Sequence, residues 1–128
     1  HRVVGHESKC RHLHGHNYRI HFTCSAAQLD ELGRVIDFGV IKELLCMWLE
    51  EHWDHKMMIY DEDPLLPSLR ELVPEDLVVV PFNPTAEAMA QYLVETVAPA
   101  QLAGTGVTLV SCRVEETARC SATYSLPI

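Results

Sequence analysis

The stretch Cys10-Arg11-His12-Leu13-His14-Gly15-His16-Asn17-Tyr18-Arg19-Ile20-His21-Phe22-Thr23-Cys24 carries two patterns at once. From Tyr18 onward, Tyr18, Ile20, Phe22 and Cys24 alternate with Arg19, His21, Thr23 and Ser25. That period of two predicts a half-buried strand reaching about Ala26. Just ahead of it, His14 and His16 stand two apart, so on extended backbone both imidazoles project to one side. Gly15 between them lets a ligand or a neighbouring chain approach closely. Two converging imidazoles suggest a metal site, and three nitrogen ligands with a vacant position would suggest a catalytic zinc. By residue type the third ligand could be His1, His6, His12, His21, His52 or His55, and spacing does not choose between His1 and His6. Cys10 sits among Lys9, Arg11 and His12, neighbours that favour a thiolate.

Working outward, a break at 29–34, with Gly33 as the turn position, leads to Asp37. Asp37 is placed to cap a helix whose apolar residues Phe38, Ile41, Leu44, Leu45, Trp48 and Leu49 recur at helical spacing, ending near Trp53. Met57-Met58-Ile59-Tyr60 then gives way to an acidic loop, roughly 61–76, holding Pro64, Pro67 and Pro74 and room for a short helical turn. Leu77-Val78-Val79-Val80 reads as a short strand stopped by Pro81. A second helix follows Asn83-Pro84-Thr85, with Met89, Tyr92, Leu93 and Val97 on its apolar face, and stops at Pro99 or soon after. Val107 to Val114 alternates as a strand, with Val107, Leu109, Ser111 and Arg113 on one side and Thr108, Val110, Cys112 and Val114 on the other. Arg119 to Leu126 returns as its partner, which makes 115–118 the turn of a hairpin. The expectation is an α+β domain spanning 1–128: one antiparallel sheet covered on one face by two helices. The chain opens on His1 without a methionine, so a further strand is expected upstream.

The 128 residues suit one domain, too small to enclose an active site easily, which favours a pocket completed between subunits. A net charge of −8 argues against a nucleic-acid or acidic-membrane binder. The basic residues Arg2, Lys9, Arg11 and Arg19 nevertheless crowd the start of the chain against a single acid, Glu7, which would suit an anionic small molecule. No apolar run is long enough for a membrane span. Five cysteines, an odd number, in a chain without secretory features point to a reducing, cytoplasmic setting.

Singly, the remaining polar motifs have ordinary readings. Asp54-His55 falls where a helix ends, where a histidine is often just good electrostatics, although the acid could also fix its tautomer. Thr85 and Glu87 read first as an N-cap and an early-helix acid, and Glu116 as a solvated turn residue.

In combination and in order, His1-Arg2, Cys10-x-x-x-His14-Gly15-His16-Asn17-Tyr18, Ile36-Asp37-Phe38, Asp54-His55, Asn83-Pro84-Thr85-Ala86-Glu87 and Glu116-Thr117 resemble the 6-pyruvoyltetrahydropterin synthase family. The short gap between Cys10 and His14 is similar to the bacterial 6-carboxytetrahydropterin synthase branch of queuosine biosynthesis. The resemblance implies the tunnelling fold, with a four-stranded antiparallel sheet, a barrel closed by three chains, and two trimers stacked as a homohexamer with sites between subunits. It implies zinc on His1, His14 and His16, and Cys10 as the proton-abstracting residue. Asp54 and His55 would be a second proton-transfer pair, and Glu116 the acid that anchors the pterin ring. Thr85, Glu87 and Thr117 would bind substrate. The implied reaction converts 7,8-dihydroneopterin triphosphate to 6-carboxytetrahydropterin, acetaldehyde and triphosphate, without a redox cofactor. The alternatives are the 6-pyruvoyl product, a non-catalytic zinc or pterin binder, and a structural zinc site with Cys10 as fourth ligand.

Overall fold

The computed structural model describes residues 1–127. In chain order its elements are β1 (Arg19–Ala26), α1 (residues 38–52), β2 (Met57–Tyr60), α2 (Leu66–Leu72), β3 (Leu77–Val80), α3 (residues 86–101), β4 (Val107–Thr117) and β5 (Cys120–Ser125). A short helical turn, Lys9–Arg11, precedes them. β1 pairs antiparallel with β4, and β4 with β5, giving the order β1-β4-β5.

Among the described residues the antiparallel sheet therefore has three strands, not the expected four. The apolar run of β3 lies instead in a separate pair, parallel to β2, with Met57 opposite Leu77 and Tyr60 opposite Val80. A parallel pair needs a crossover, and the proline-rich loop with α2 supplies it. Met58 and Ile59 are both buried, so β2 shows no alternation from which a strand could be read.

β4 carries a second departure. Val107, Leu109, Cys112 and Val114 are all buried, although strict alternation puts the first two and the last two on opposite faces. The β1–β4 register steps from Thr23 opposite Ser111 to Cys24 opposite Leu109, leaving Val110 as an extra residue. This bulge turns both apolar pairs to the core. The hairpin also reverses later than expected, at Ala118 and Arg119, so that Glu116 lies within β4.

Both long helices pack against one face of the sheet, with Leu45, Ala90, Leu93, Val94 and Val97 meeting Leu109, Cys112 and Val114. Asp37 caps α1 by accepting from the Gly39 N–H at 3.0 Å, and Thr85 caps α3 by accepting from the Ala88 N–H at 3.0 Å. Each helix contains one widened turn, closed by the N–H of Met47 on the Lys42 carbonyl and of Ala98 on the Leu93 carbonyl. In α3 the widening lies just ahead of Pro99, whose ring would crowd the Glu95 carbonyl of a regular helix, and α3 runs on to Gln101. Leu93 is only 2% exposed at the centre of this core. Leu93→Ala is expected to cost about 2–5 kcal/mol, seen as a lower urea midpoint with an unchanged slope.

The opening residues form no strand, but they are tied down. The Arg2 guanidinium grips the buried Asp63 carboxylate through Nε and Nη2, both at 2.7 Å. That fork holds the Asp63 carboxyl below its ordinary range. A carboxyl whose pKa is lower folded than unfolded stabilises above the ordinary range of about 4 and loses this contribution as pH falls through the folded value. Asp63→Asn is expected to be less stable at neutral pH and to lose less between about pH 6 and pH 3 than the unsubstituted chain, measured by urea unfolding at each pH.

Candidate metal centre and catalytic cleft

His14 and His16 lie on the extended segment entering β1, and His1 reaches them from the chain's first residues. Backbone bonds align the two segments: His14 N–H donates to the His1 carbonyl at 3.0 Å, and Val3 N–H to the Cys10 carbonyl at 2.7 Å. One ring nitrogen from each histidine lies within 4.8 Å of the other two, a span that a single cation bridges.

The tautomers follow from the neighbours. His1 Nδ1 is 3.0 Å from the Pro84 carbonyl oxygen, and His14 Nδ1 is 2.7 Å from the His12 carbonyl oxygen. A carbonyl only accepts, so each Nδ1 carries the proton and each Nε2 presents a lone pair. Those two Nε2 atoms are 3.1 Å apart. Facing lone pairs at that distance call for a cation or a proton between them. His16 Nε2 is buried without a hydrogen-bond partner among the described residues. An unsatisfied buried nitrogen costs about 1–3 kcal/mol. One metal ion held by all three rings relieves both conflicts, and the donor set suits zinc.

Around the triad stand Tyr18 and Glu116. The Tyr18 hydroxyl is 3.0 Å from His1 Nε2, and burial, reinforced by the charges of Glu116 and Cys10, pushes its pKa up. Tyr18 thus lies within electrostatic reach of Cys10 and Glu116. Glu116 is the extra residue of a second bulge, since the register passes from Glu115 opposite Ser121 to Thr117 opposite Cys120. Bulges re-aim side chains. Here the Glu116 carboxylate comes to 3.8 Å from His16 Nε2.

Beside the triad opens a cleft of about 480 Å³. Its apolar wall is built from Phe22, Leu49, Trp53 and Met58, and its polar side from His1, His16, Asp54 and His55. An apolar wall facing a few polar groups suits a small organic ligand oriented by those groups. At the end of α1, His55 adopts a left-handed backbone, φ 58°, unusual for a residue with a side chain. Its Nδ1 lies 3.1 Å from Asp54 Oδ1. Backbone strain of this kind concentrates at working sites.

Of the other sequence candidates, Cys10, Thr85, Glu87 and Thr117 do not line the cleft, and Glu116 stands beside the triad without lining the cleft. Thr85 caps α3, Glu87 is exposed on its first turn, and Thr117 is exposed at the end of β4. His6 accepts from the Ser8 N–H, His21 meets Arg113 at 3.2 Å, and His52 stacks on Trp48. His12 contributes only its carbonyl to the triad. Two participants were not singled out from sequence. Tyr18 follows His16 by two, so the same alternation could have placed it beside the triad. The Pro84 carbonyl is backbone and has no side-chain signature.

Residues 1–127 match the family described as 6-pyruvoyl tetrahydropterin synthase. The chain is 32% identical to the 6-carboxy-5,6,7,8-tetrahydropterin synthase of Rickettsia felis over 94% of its own length and 88% of that protein's. Among solved structures it resembles an uncharacterized protein from Wolinella succinogenes, with TM-score 0.84, 25% identity, and coverage of 97% of this chain and 90% of the other. A catalytic-residue mutant of Plasmodium vivax 6-pyruvoyltetrahydropterin synthase shares the fold, with TM-score 0.68 and 18% identity over 99% of this chain and 89% of that one. With its α+β fold, its antiparallel sheet and its three gathered histidines, this chain belongs to the 6-pyruvoyl tetrahydropterin synthase family.

Proposed function

We propose that the protein is a zinc-dependent 6-carboxy-5,6,7,8-tetrahydropterin synthase, a lyase of the queuosine pathway. Its substrates are 7,8-dihydroneopterin triphosphate and water, and its products 6-carboxytetrahydropterin, acetaldehyde and triphosphate. The observation that carries the reading is the convergence of His1, His14 and His16, with two Nε2 lone pairs facing each other and a third Nε2 buried and unpaired. The name of the Rickettsia relative favours the 6-carboxy product.

When bound, zinc supplies Lewis-acid polarisation of the substrate's side-chain hydroxyl oxygens. The chain's own residues do the rest. Cys10 removes a side-chain proton made acidic by conjugation with the pterin C=N bond. His55, oriented by Asp54, moves a proton on the opposite side of the substrate, for which its place on the cleft suits it. Glu116 anchors the pterin ring and joins the proton relay, while Thr85, Glu87 and Thr117 complete the substrate site. Loss of triphosphate and a retro-aldol-type cleavage then release acetaldehyde, with the redox change internal to the substrate.

Several of these residues lie off the cleft of a single chain, and among the described residues β1 and β5 both leave a sheet edge unpaired. Both features suit a homohexamer, a dimer of trimers, with sites shared between subunits. Five free cysteines fit a reducing cytoplasm. Incubation with 7,8-dihydroneopterin triphosphate is expected to release acetaldehyde and triphosphate in equal amounts. Triphosphate without acetaldehyde would move the assignment to 6-pyruvoyltetrahydropterin synthase, and neither product would leave a non-catalytic binder.

A further inference from the structure

His14 and His16 share one extended segment, so their spacing is set by covalent geometry. His1 arrives on a separate segment that pairs with His14 through two backbone hydrogen bonds, the His14 N–H to the His1 carbonyl at 3.0 Å and the His1 amine to the His14 carbonyl at 2.7 Å. The turn ahead of α3 holds the same segment at two further points. Asn83 pairs with the peptide of Val4 as a neighbouring strand would, accepting from its N–H through Oδ1 at 2.8 Å and donating through Nδ2 to its carbonyl at 2.9 Å. The next residue, Pro84, offers the carbonyl that accepts from His1 Nδ1. One short turn thus holds both the backbone of the segment and the ring at its end. The turn itself is rooted, because Thr85 caps α3 and the adjoining Ala86, Met89 and Ala90 are buried. Between the two points, Arg2 is forked onto Asp63 and also donates to the Arg11 carbonyl at 3.2 Å. Arg2 is therefore committed to the fold rather than free for the substrate's triphosphate.

We propose that Asn83 is a positioning residue for the metal centre: its side-chain amide, together with the Arg2–Asp63 fork, holds residues 1–4 so that His1 reaches the cation held by His14 and His16. This rests on the metal reading above. Asn83 acts on the position of residues 1–4 through the Val4 backbone, while the Pro84 carbonyl sets the His1 tautomer. Groups that orient a metal-bound histidine typically contribute about 10–100-fold to metal affinity.

The test is cobalt(II) affinity of the protein, read by visible absorption and chelator competition, beside thermal melting in excess chelator. Asn83→Ala is expected to bind cobalt(II) at least about 10-fold more weakly, with an altered spectrum and nearly unchanged melting of the metal-free protein. Asn83→Asp keeps the acceptor for the Val4 N–H and loses the donor, so it should fall between Asn83→Ala and the unsubstituted chain. Arg2→Lys keeps the charge and loses the fork, and provides a second reading with the same expected direction. Unchanged affinity in folded Asn83→Ala or Arg2→Lys, or weakening that merely tracks loss of the metal-free fold, would overturn the proposal. If the unsubstituted chain binds neither cobalt(II) nor zinc, the metal reading itself fails. If it binds and Asn83→Ala binds equally well, only this inference fails.

Discussion

His14→Ala is expected to abolish stoichiometric zinc binding and to lower turnover of 7,8-dihydroneopterin triphosphate by at least about 10²–10³-fold, the range seen when one preorganised electrostatic contact is removed. His14 supplies one of the two Nε2 atoms that face each other at 3.1 Å, and its Nδ1 is committed to the His12 carbonyl. Without it, His1 and His16 offer only two ligands. The ring is half-buried at the edge of the sheet rather than in the core, so the variant should fold. Metal content of the purified variant and its far-ultraviolet circular dichroism check both halves of this expectation. A variant that retained one zinc per chain would show that the ion is held elsewhere.

Cys10→Ala should separate metal binding from proton transfer. With Cys10 in its proposed role as the proton-abstracting group, its loss is expected to lower the rate by about 10²–10⁴-fold and to leave zinc content unchanged. The thiol sits on the short turn Lys9–Arg11, whose neighbour Val3 bonds to the Cys10 backbone carbonyl rather than to the side chain. The substitution therefore leaves the pairing of the His1 and His14 segments intact. Single-turnover kinetics beside metal analysis distinguish the outcomes. Unchanged turnover would remove Cys10 from the chemistry, whereas loss of zinc together with activity would make it a ligand.

Much of this architecture was legible from local pattern. Alternation through Tyr18–Cys24 marks β1, Asp37 and Thr85 mark the starts of the two long helices, and the returning run from Arg119 marks the hairpin. The failures share a physical cause: they depend on pairing across the chain. The bulge at Val110 shows only as a phase slip between Val107/Leu109 and Cys112/Val114, which could have been noticed because both pairs are apolar. The bulge at Glu116 leaves no such trace, since Glu115 and Glu116 are the same residue type and either could have faced His16. β2 is buried on both faces at Met58 and Ile59, and both strands of the β2–β3 pair are too short for their period to discriminate. At the site, two of the three histidines could be read from spacing. His1 could not, because it meets the triad through pairing with the His14 segment and through contacts with Asn83 and Pro84, some eighty residues away in the chain.

The proposed centre is an open zinc site on three histidines, with Cys10 not a ligand. Zinc K-edge X-ray absorption on the metal-loaded protein reads its ligands. Nitrogen and oxygen neighbours are expected at about 2.0–2.1 Å, three of them imidazole, and no sulfur. A sulfur neighbour at about 2.3 Å would contradict this by making Cys10 the fourth ligand of a closed site.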